Sequence, residues 1–430
     1  MLRPPLGAVC LLLLSACTAS APSPLPDVPT GVPPLTLTCW HTQTGNDAAL
    51  LATLAADFHA AYPSITVKSE AKKDQGDLLR QGIAALAMNQ LPDLVIADRR
   101  TIAEFARQNA LVALDSLFDD PTLGLAANDR ADFLPGLLDA GRFPDLKNQL
   151  YALPFDENAV VFYYNLDLLK SAKLDPPRTW DLFGAAARAT TKGSAHGWVM
   201  APTAPIFYAF LVSRGSRALN DDQTRAAFND AGGTKMLQLI AALNKGGSAY
   251  LVDSADTARA DFAQGKAALL FDTTDDLAVV SSALTRAGNT FRWGVAGIPQ
   301  DDPAHPLTAI DGSSIAVFNS SPDRTRAAWL FARWLVEPAQ TARWSRATLS
   351  IPLRTSALPI LASNTPDPLF QRLRDGFGDA LPSGRPLPAV KDAAQIDAAM
   401  VEMWISVANG TDPAAALSRA TSRVTRILGP

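Results

Sequence analysis

The stretch YALPFDENAVVFYYN, residues 151–165, contains two apolar runs separated by a short polar break. Pro154 and the polar residues Asp156, Glu157 and Asn158 form this break. A chain of 430 residues is longer than one hydrophobic core usually supports, so we expect two lobes. The stretch is predicted to be the point at which the chain crosses from one lobe to the other.

The residues before this crossing alternate between strand and helix patterns. LTLTCW (35–40), SITVKS (64–69) and DLVIAD (93–98) have the pattern of strands, and apolar residues at helical spacing separate them. This βαβαβ order predicts an α/β fold with a parallel sheet covered by helices on both faces. Ligands of such sheets bind beyond the carboxyl ends of the strands, which indicates His41 and Asp98 as candidates.

The N-terminal run LLLLSACTAS, residues 11–20, ends at a single cysteine among small residues. The apolar run is too short to span a bilayer but suits the apolar region of a secretory signal. Because Leu14 to Cys17 resembles a bacterial lipobox, residues 1–16 are predicted to be a signal peptide and Cys17 the site of lipid attachment. The proline-rich residues 17–34 would then tether an exported body to the outer face of the cytoplasmic membrane. The alternative is an ordinary signal peptide with a chance cysteine.

Cysteine and charge content exclude several classes of protein. Cys10 would be removed with the signal and Cys17 would carry lipid, so Cys39 is expected to be a buried residue without a disulfide. With 19% charged residues and a net charge of -4, the sequence has no nucleic-acid-binding or polybasic membrane surface. We therefore expect contact with the membrane through the lipid alone.

The sequence lacks the motifs of common enzymes and metal sites. His41, His59, His196 and His305 show no metal-ligand spacing, and no HExxH, Walker A or GxSxG stretch occurs. We therefore predict no metal, no cofactor and no enzyme activity. Paired carboxylates for glycoside hydrolysis have no local signature, so a secreted glycoside hydrolase stays the competing interpretation.

Eight short motifs occur in order from about Leu35 to the C-terminus. They are CWHTQTG, FHAAYPSITV, PDLVIADRRTIAEFARQNALVALD, LYALPFDENAVVFYYNLDLLKSAKLDPPRTWDLF, DFAQGKAALLFDTTDDL, WGVAGIPQ, DGSSIAVFNSSPDRTRAAWLFARWL and IPLR. With these motifs the chain resembles the family 1 extracellular solute-binding proteins of ABC importers, the group of maltose- and glycerol-3-phosphate-binding proteins.

The resemblance implies a two-lobed, type II periplasmic-binding-protein-like fold, with a ligand cleft between lobes joined by crossing strands. We assign residues 35–155 and 276–335 to the N-terminal lobe, and residues 156–275 and 336–430 to the C-terminal lobe. A ligand that touches both lobes would stabilise a closed form, which a transporter can distinguish from the open form. The expected partners are a small-molecule solute and the permease subunits of an ABC importer, and the protein is expected to be a monomer.

The resemblance also implies a set of solute-binding residues. Asp98 falls at a ligand-binding acid of the family, although it could instead cap the helix predicted to begin near Thr101. Glu157 is expected to face outward, and Tyr208 in APIFYAFLVSRG is the preferred ring for stacking on a sugar. The remaining candidates are Asp156, Asn158, Asp272, Thr273, Asp311, Gly312, Ser313 and, for an anionic group, Arg354.

Two kinds of candidate have structural alternatives. Gly312 would let the backbone approach the ligand closely, unless it is a plain turn glycine. Trp329, Trp334 and Trp344 have core-like helical spacing, so we assign them to packing rather than to binding.

The sequence departs from the family pattern in two segments. Maltose-type relatives carry tryptophans where this chain has DTTDD (272–276) and KDAAQID (391–397). A phosphate-binding relative uses an arginine near the second segment, where this chain has Asp397 or a neighbour. The missing rings argue against a long maltodextrin. A small sugar or polyol is the leading solute, and a cationic or glycerophospho-type solute is the alternative, because Asp98, Asp156, Asp272 and Asp311 would make the cleft acidic.

Overall fold

The structure, a computed structural model, describes residues 34–363, 368–377 and 383–429. The predicted signal peptide, Cys17 and all but the last residue of the predicted tether lie outside the described residues. The strands are β1 (Leu35–His41), β2 (Ile65–Ala71), β3 (Leu94–Asp98), β4 (Ala152–Asn165), β5 (His196–Met200), β6 (Ala249–Leu251), β7 (Ala267–Thr273), β8 (Trp293–Gly297), β9 (Leu307–Val317) and β10 (Ser383–Pro386).

Helices cover both faces of these strands. They are α1 (Gly45–Ala61), α2 (Gln75–Ala87), α3 (Arg99–Arg107), α4 (Asp115–Phe118), α5 (Ala127–Ala131), α6 (Leu166–Ser171), α7 (Trp180–Thr190), α8 (Ala204–Val212), α9 (Ala231–Lys245), α10 (Ala255–Ala263), α11 (Leu277–Arg286), α12 (Pro322–Leu335), α13 (Pro338–Thr348), α14 (Ala357–Ser363), α15 (Pro368–Phe377), α16 (Ala393–Ala408) and α17 (Pro413–Leu428). Short 3₁₀ turns occupy Leu138–Gly141 and Pro144–Leu146.

The first three strands have the predicted parallel arrangement. β1 pairs in parallel with β2 along its whole length and with β3 at Cys39 and Trp40. Leu37 and Cys39 of β1 are fully buried, and α1 packs Leu54 and Phe58 into the same core. The predicted βαβαβ order and the buried, unpaired Cys39 are therefore confirmed. Burial raises the pKa of the Cys39 thiol well above its usual range.

The helix after β3 begins earlier than the sequence pattern suggests. Asp98 is the N-cap of α3, and its Oδ1 accepts a hydrogen bond from the backbone N–H of Thr101 at 2.7 Å. The predicted helix start near Thr101 is therefore late, since α3 begins at Arg99, and the alternative role of Asp98 as the cap is confirmed. The physical reason is that Asp98, at the end of an extended strand, satisfies the free N–H groups of the first helical turn better than a residue inside that turn.

β4 is the strand that crosses between the two halves of the sheet. Residues 152–159 pair antiparallel with β9, whereas residues 160–164 pair antiparallel with β7 and residues 161–165 with β8. The strand order is β2-β1-β3-β9-β4-β7-β5-β6, with β10 beside β9 and β8 beside β4. The crossing predicted at residues 151–165 is therefore confirmed.

Separate hydrophobic cores lie on the two sides of this crossing. The core of the first lobe (β1, β2, β3, β9 and their helices) includes Trp329, Trp334 and Trp344. The core of the second lobe (β5, β6, β7, β8 and their helices) includes Trp198 and Trp404. The assignment of the three α12 and α13 tryptophans to packing is confirmed, because each is buried.

Two segments lie near the predicted lobe limits, and their packing shows which lobe each one contacts. Leu277 of α11 and Val295 of β8 pack with Val161 in a cluster of the second lobe. After α12, Trp344 packs with the first lobe and Leu349 with the second-lobe cluster. We propose lobe limits that follow this packing, with the chain returning to the first lobe at β9 rather than at residue 276.

Candidate functional site

Polar side chains of the crossing strands meet where β4 passes between the lobes. The register sets residues 156–158 of β4 opposite residues 311–313 of β9. On its other edge, β9 pairs with β3, so that Asp98 lies opposite Ser313. We call this cluster the crossing site, and six predicted residues belong to it: Asp98, Asp156, Asn158, Asp311, Gly312 and Ser313.

Gly312 is required by the packing of the two crossing strands. Its φ is +154°, and a Cβ added to it would lie 2.0 Å from the backbone oxygen of Asp156. The close approach that this glycine permits is therefore to β4. Gly312 lies within a strand and not in a turn, so the turn interpretation is wrong.

Glu157 points to the opposite side of β4 from its neighbours, as alternation along a strand requires. It is only 3% exposed, and its Oε1 accepts a hydrogen bond from Ser314 Oγ at 3.0 Å. Burial raises the pKa of Glu157 to about 8, and the charge of Arg99 acts in the opposite direction. The expectation that Glu157 faces outward is wrong, because the first lobe, including the buried Arg99, covers this face of the strand.

Asp98 and Asp311 supply carboxylates on the first-lobe side of the crossing site. One oxygen of Asp98 is occupied by the cap of α3, so the capping role weighed from the sequence is present. The carboxylate of Asp311 accepts a hydrogen bond from the N–H of Gly312 at 2.9 Å and is otherwise open to solvent. Surrounding protein and the charges of Asp98 and Asp397 raise the pKa of Asp311 to about 6, against the effect of Arg100.

Asp156 lies between carboxylates of the two lobes. Its pKa is raised to about 6 by burial first, and then by the charges of Asp275, which follows β7, and Asp47, which lies in α1. Since α1 belongs to the first lobe and β7 to the second, the carboxyl group of Asp156 faces the space between the lobes.

Asp272 and Thr273, at the end of β7, have partners inside the second lobe. Arg259 donates to both carboxylate oxygens of Asp272, at 2.6 Å from Nε and 3.1 Å from Nη2. Arg259 also pairs with Asp276 at 2.7 Å and Asp256 at 3.1 Å, and Thr273 Oγ1 donates to Asp276. We call Arg259 and its three carboxylates the Arg259 cluster. Arg259 therefore occupies both carboxylate oxygens of Asp272 and leaves them little freedom to bind a solute.

A different ion pair, between Arg100 and Asp397, connects the two lobes. Arg100 Nη1 of α3 lies 2.6 Å from Asp397 Oδ2 of α16, and the hydroxyl of Tyr208 donates to Asp397 Oδ1 at 3.0 Å. We call these three residues the Arg100 bridge. Tyr208 is 4% exposed, so most of the ring predicted to stack on a sugar is covered by protein. Arg100 Nη2 is buried without a hydrogen-bond partner among the described residues.

Sequence reasoning missed Arg100 and Asp397 as site residues. Arg100 had a usable signal, because it follows the end of β3, and ligands of such sheets bind at that edge. Asp397 was notable in the sequence only because it lies in KDAAQID (391–397), a segment that departs from the family pattern. No local pattern connects these two residues, since they are far apart in the sequence and only the packing of α3 near α16 brings them together.

Arg354 and His41, the other two candidates, are buried. Arg354 is 2% exposed, donates from Nε to the backbone oxygen of Val336 at 2.9 Å, and lies 3.9 Å from the ring centroid of Phe133. These first-lobe partners leave it little freedom to hold an anionic solute. His41 is 2% exposed at the end of β1, and burial lowers its pKa.

The residues that the structure describes contain no group of three His, Cys, Asp or Glu side chains arranged to hold a metal ion. In the same part of the chain, every helix falls short of the length or the hydropathy that a bilayer crossing requires. The polar groups of the crossing site and the Arg100 bridge are carboxylates, an amide, hydroxyls and one guanidinium. These groups recognise hydroxyls and charged groups of a small molecule by direct hydrogen bonds.

The model of the family described as bacterial extracellular solute-binding protein matches residues 53–371, which include both crossing strands. The chain belongs to this family. The resemblance found in the sequence and the predicted class of function are therefore confirmed. This solute-binding protein is 25% identical, over 334 residues, to the sn-glycerol-3-phosphate-binding periplasmic protein UgpB of Yersinia pestis bv. Antiqua (strain Antiqua), and the match covers 74% of each chain.

Solved structures of solute-binding proteins share the fold. The cyclic alpha-maltosyl-1,6-maltose binding protein from Arthrobacter globiformis matches with a TM-score of 0.78 at 20% identity, covering 92% of this chain and 99% of that chain. UgpB from Mycobacterium tuberculosis, in complex with glycerophosphocholine, matches with a TM-score of 0.69 at 22% identity, covering 91% of this chain and 98% of that chain. The predicted two-lobed α/β fold is confirmed.

Proposed function

We propose that this protein is an exported receptor that captures a small sugar or polyol between its lobes and delivers it to an ABC importer, without turnover. The observation that carries the proposal is the crossing site, where Asp98, Asp156 and Asp311 converge on the space between the lobes. A carboxylate accepts hydrogen bonds from two hydroxyls, which is the chemistry that polyhydroxyl recognition needs.

The balance of charge supports a neutral solute over a free phosphate. Asp98, Asp156, Asp311 and Asp397 face one cation, Arg100, so the cleft has an excess of negative charge. Such a cleft repels a dianion and leaves carboxylates available to hydroxyls. The covered ring of Tyr208 further favours a small polyol or sugar over a long stacked saccharide.

One observation favours a second candidate, a glycerophosphodiester with a cationic head group. Arg100 presents a buried Nη2 that lacks a partner among the described residues, and such a group can donate to a phosphodiester oxygen. The surrounding carboxylates would meet the cationic group of the same solute. The matches to UgpB proteins, named for sn-glycerol-3-phosphate or solved with glycerophosphocholine, are consistent with this candidate.

We also propose that the receptor is held at the outer face of the cytoplasmic membrane by lipid on Cys17, and that it acts as a monomer. The lipobox-like sequence, which precedes the described residues, supports the lipid anchor. Cys17→Ser should move the protein from the membrane fraction to the soluble fraction, because the proline-rich tether has no apolar segment of its own. A mutant that stays in the membrane after signal cleavage would contradict the anchor.

A thermal-shift screen of the purified full chain tests the solute. The panel holds sugars, polyols, glycerophosphodiesters and amines, and a ligand at about 100 times its dissociation constant adds roughly 2.7 kcal/mol of stability. Binding of a sugar or polyol with a smaller radius of gyration by X-ray scattering supports the proposal. Tight binding restricted to a glycerophosphodiester selects the second candidate, and hydrolysis of a chromogenic glycoside would contradict the receptor.

A further inference from the structure

A separate cavity of about 760 Å³ opens on the second lobe between the start of α7, the helix α9 and the segment that follows β8. It shares no residue with the crossing site or the Arg100 bridge. Its lining contains three cations, Arg188, Arg214 and Lys235, and two carboxylates, Asp181 and Asp301. The cavity therefore has one positive charge in excess.

Arg214 is the central group of this cavity. Its side chain is 6% exposed, and its guanidinium lies 4.9 Å from the ring centroid of Trp180. Nη1 donates to Asp301 Oδ1 at 2.9 Å, whereas Nε is buried without a hydrogen-bond partner among the described residues. A charged donor that stays buried and unsatisfied is destabilising, so an interaction of this guanidinium with an acceptor would be stabilising.

The rest of the lining has the properties of an oxyanion site. The first turn of α7 contributes Trp180 and Asp181, and the positive end of a helix dipole attracts anions. Lys235 Nζ is 63% exposed by side chain and lies 3.8 Å from Asp301 Oδ2, so it is free to turn toward a ligand. Gln238, exposed on α9, offers a neutral amide in the same lining.

We propose that this cavity is a second ligand site, which binds a small solute through a carboxylate or phosphate group held by Arg214. The oxyanion pairs with the guanidinium of Arg214, Lys235 adds charge from the rim, and the polar lining accommodates the remainder of the molecule. This site is independent of the crossing site, so one protein can hold a polyhydroxyl solute and an oxyanion at the same time.

Calorimetric titration of the full chain in detergent with inorganic phosphate and with acetate, at constant ionic strength, tests the proposal. We expect saturable, single-site binding of at least one oxyanion. Gln238→Glu, nearly isosteric and exposed, should weaken this binding about tenfold, because it makes the excess charge of the cavity zero. Arg214→Lys keeps the charge but loses the planar guanidinium that can donate two parallel hydrogen bonds. This variant should also weaken oxyanion binding about tenfold.

Matched variants separate the cavity from the cleft. Lys245→Gln removes an exposed cation from the same helix outside the cavity and should leave oxyanion binding unchanged, as should Asp311→Asn in the crossing site. A folded protein with no saturable response to millimolar phosphate or acetate would overturn the second site. So would oxyanion binding that Arg100→Gln weakens and Gln238→Glu does not, because that binding would lie at the Arg100 bridge.

Discussion

The Arg259 cluster and the Arg100 bridge use the same chemistry in two different places. Each sets an arginine against carboxylates at the edge of the cleft. Arg259 and its partner Asp272 both belong to the second lobe and are 14% and 8% exposed by side chain. Arg100 and Asp397 come from different lobes and are 33% and 20% exposed.

The two clusters therefore have different effects. The Arg259 cluster stabilises the fold of one lobe, and the Arg100 bridge stabilises an arrangement in which the two lobes are close. A buried pair inside one lobe contributes to folding whatever the arrangement of the two lobes. A partly exposed pair across the lobes contributes only when the lobes are close, so its energy enters the equilibrium between arrangements.

Arg259→Gln should destabilise the protein by about 3 kcal/mol, because it leaves the buried Asp272 carboxylate and its neighbours without their cation. Urea unfolding without solute measures this loss, and the solute dissociation constant of the folded variant should not change. The matched control is Arg217→Gln, which breaks an exposed pair with Asp221 in the same lobe. The control should lose less than about 1 kcal/mol. Equal losses of stability in the two variants would show that burial of an ion pair does not determine its contribution to folding.

Glu157→Gln should change the pH dependence of stability. The pKa of Glu157 in the folded protein, about 8, lies above its ordinary value of 4.5. The stability contributed by protonated Glu157 is therefore complete below its ordinary pKa and is lost as the pH rises through the folded value. From about pH 6 to about pH 9, wild type should lose about 2 to 3 kcal/mol more than the glutamine variant.

Urea unfolding of both proteins at the two pH values measures this difference. Glutamine keeps an acceptor for the hydroxyl of Ser314 and cannot ionise. The unfolding free energy of the variant should therefore lack the dependence on pH that Glu157 causes. Parallel pH dependence of the two proteins would show that Glu157 is not the titrating group at the crossing.

Asp311→Asn should weaken binding of the identified solute about tenfold, because hydroxyl bonds to a charged acceptor are stronger than those to an amide. The pKa of Asp311 is raised to about 6, so wild-type affinity should fall as the pH drops below that value, and the affinity of the variant should not. Calorimetric titration at several pH values measures both effects. Asp221→Asn, on the exposed surface, is the control, and an unchanged affinity in both variants would exclude Asp311 from the site.

Breaking the Arg100 bridge should affect binding more than folding. Arg100→Gln and Asp397→Asn should each change the free energy of unfolding by less than about 1 kcal/mol, as for other partly exposed pairs. Each should weaken solute affinity up to about fivefold, since the contact favours the approach of the lobes. In a double-mutant cycle the two effects on affinity should not add. Additive effects on affinity would contradict a direct contact between the two side chains. A loss of stability as large as that of Arg259→Gln would contradict the distinction between pairs within one lobe and pairs across the lobes.

The substitution Asp98→Asn gives the smallest expected change in stability. Asp98→Asn should leave the apo melting temperature nearly unchanged, because asparagine caps a helix about as well as aspartate, whereas Asp98→Ala should cost about 1 kcal/mol through loss of the cap. Melting curves of the two variants test the cap. Titration of Asp98→Asn then tests binding alone, and an affinity equal to wild type would restrict Asp98 to the capping role.

The fold could be derived from the sequence because its signals are local. The alternation of strand and helix patterns from Leu35 to Asp98 follows from which side chains each element must bury, and residues 151–165 carry the break between two apolar runs within themselves. Of the crossing site, only Asp98 was predictable from the end of a strand. The other members, Asp156, Asn158, Asp311, Gly312 and Ser313, lie within β4 and β9 and were predicted through the resemblance to the family.

Tertiary structure alone decided which carboxylates are free. Nothing near Asp272 in the sequence shows that Arg259 binds both its oxygens, and nothing near Asp397 shows that it meets Arg100. The side taken by Glu157 likewise depended on what packs over β4, because strand alternation sets opposite faces for neighbours but does not say which face is covered. Charge pairing and burial depend on residues distant in the chain, whereas strand and helix formation depend on neighbours, and this difference sets the limit of sequence reasoning for this protein.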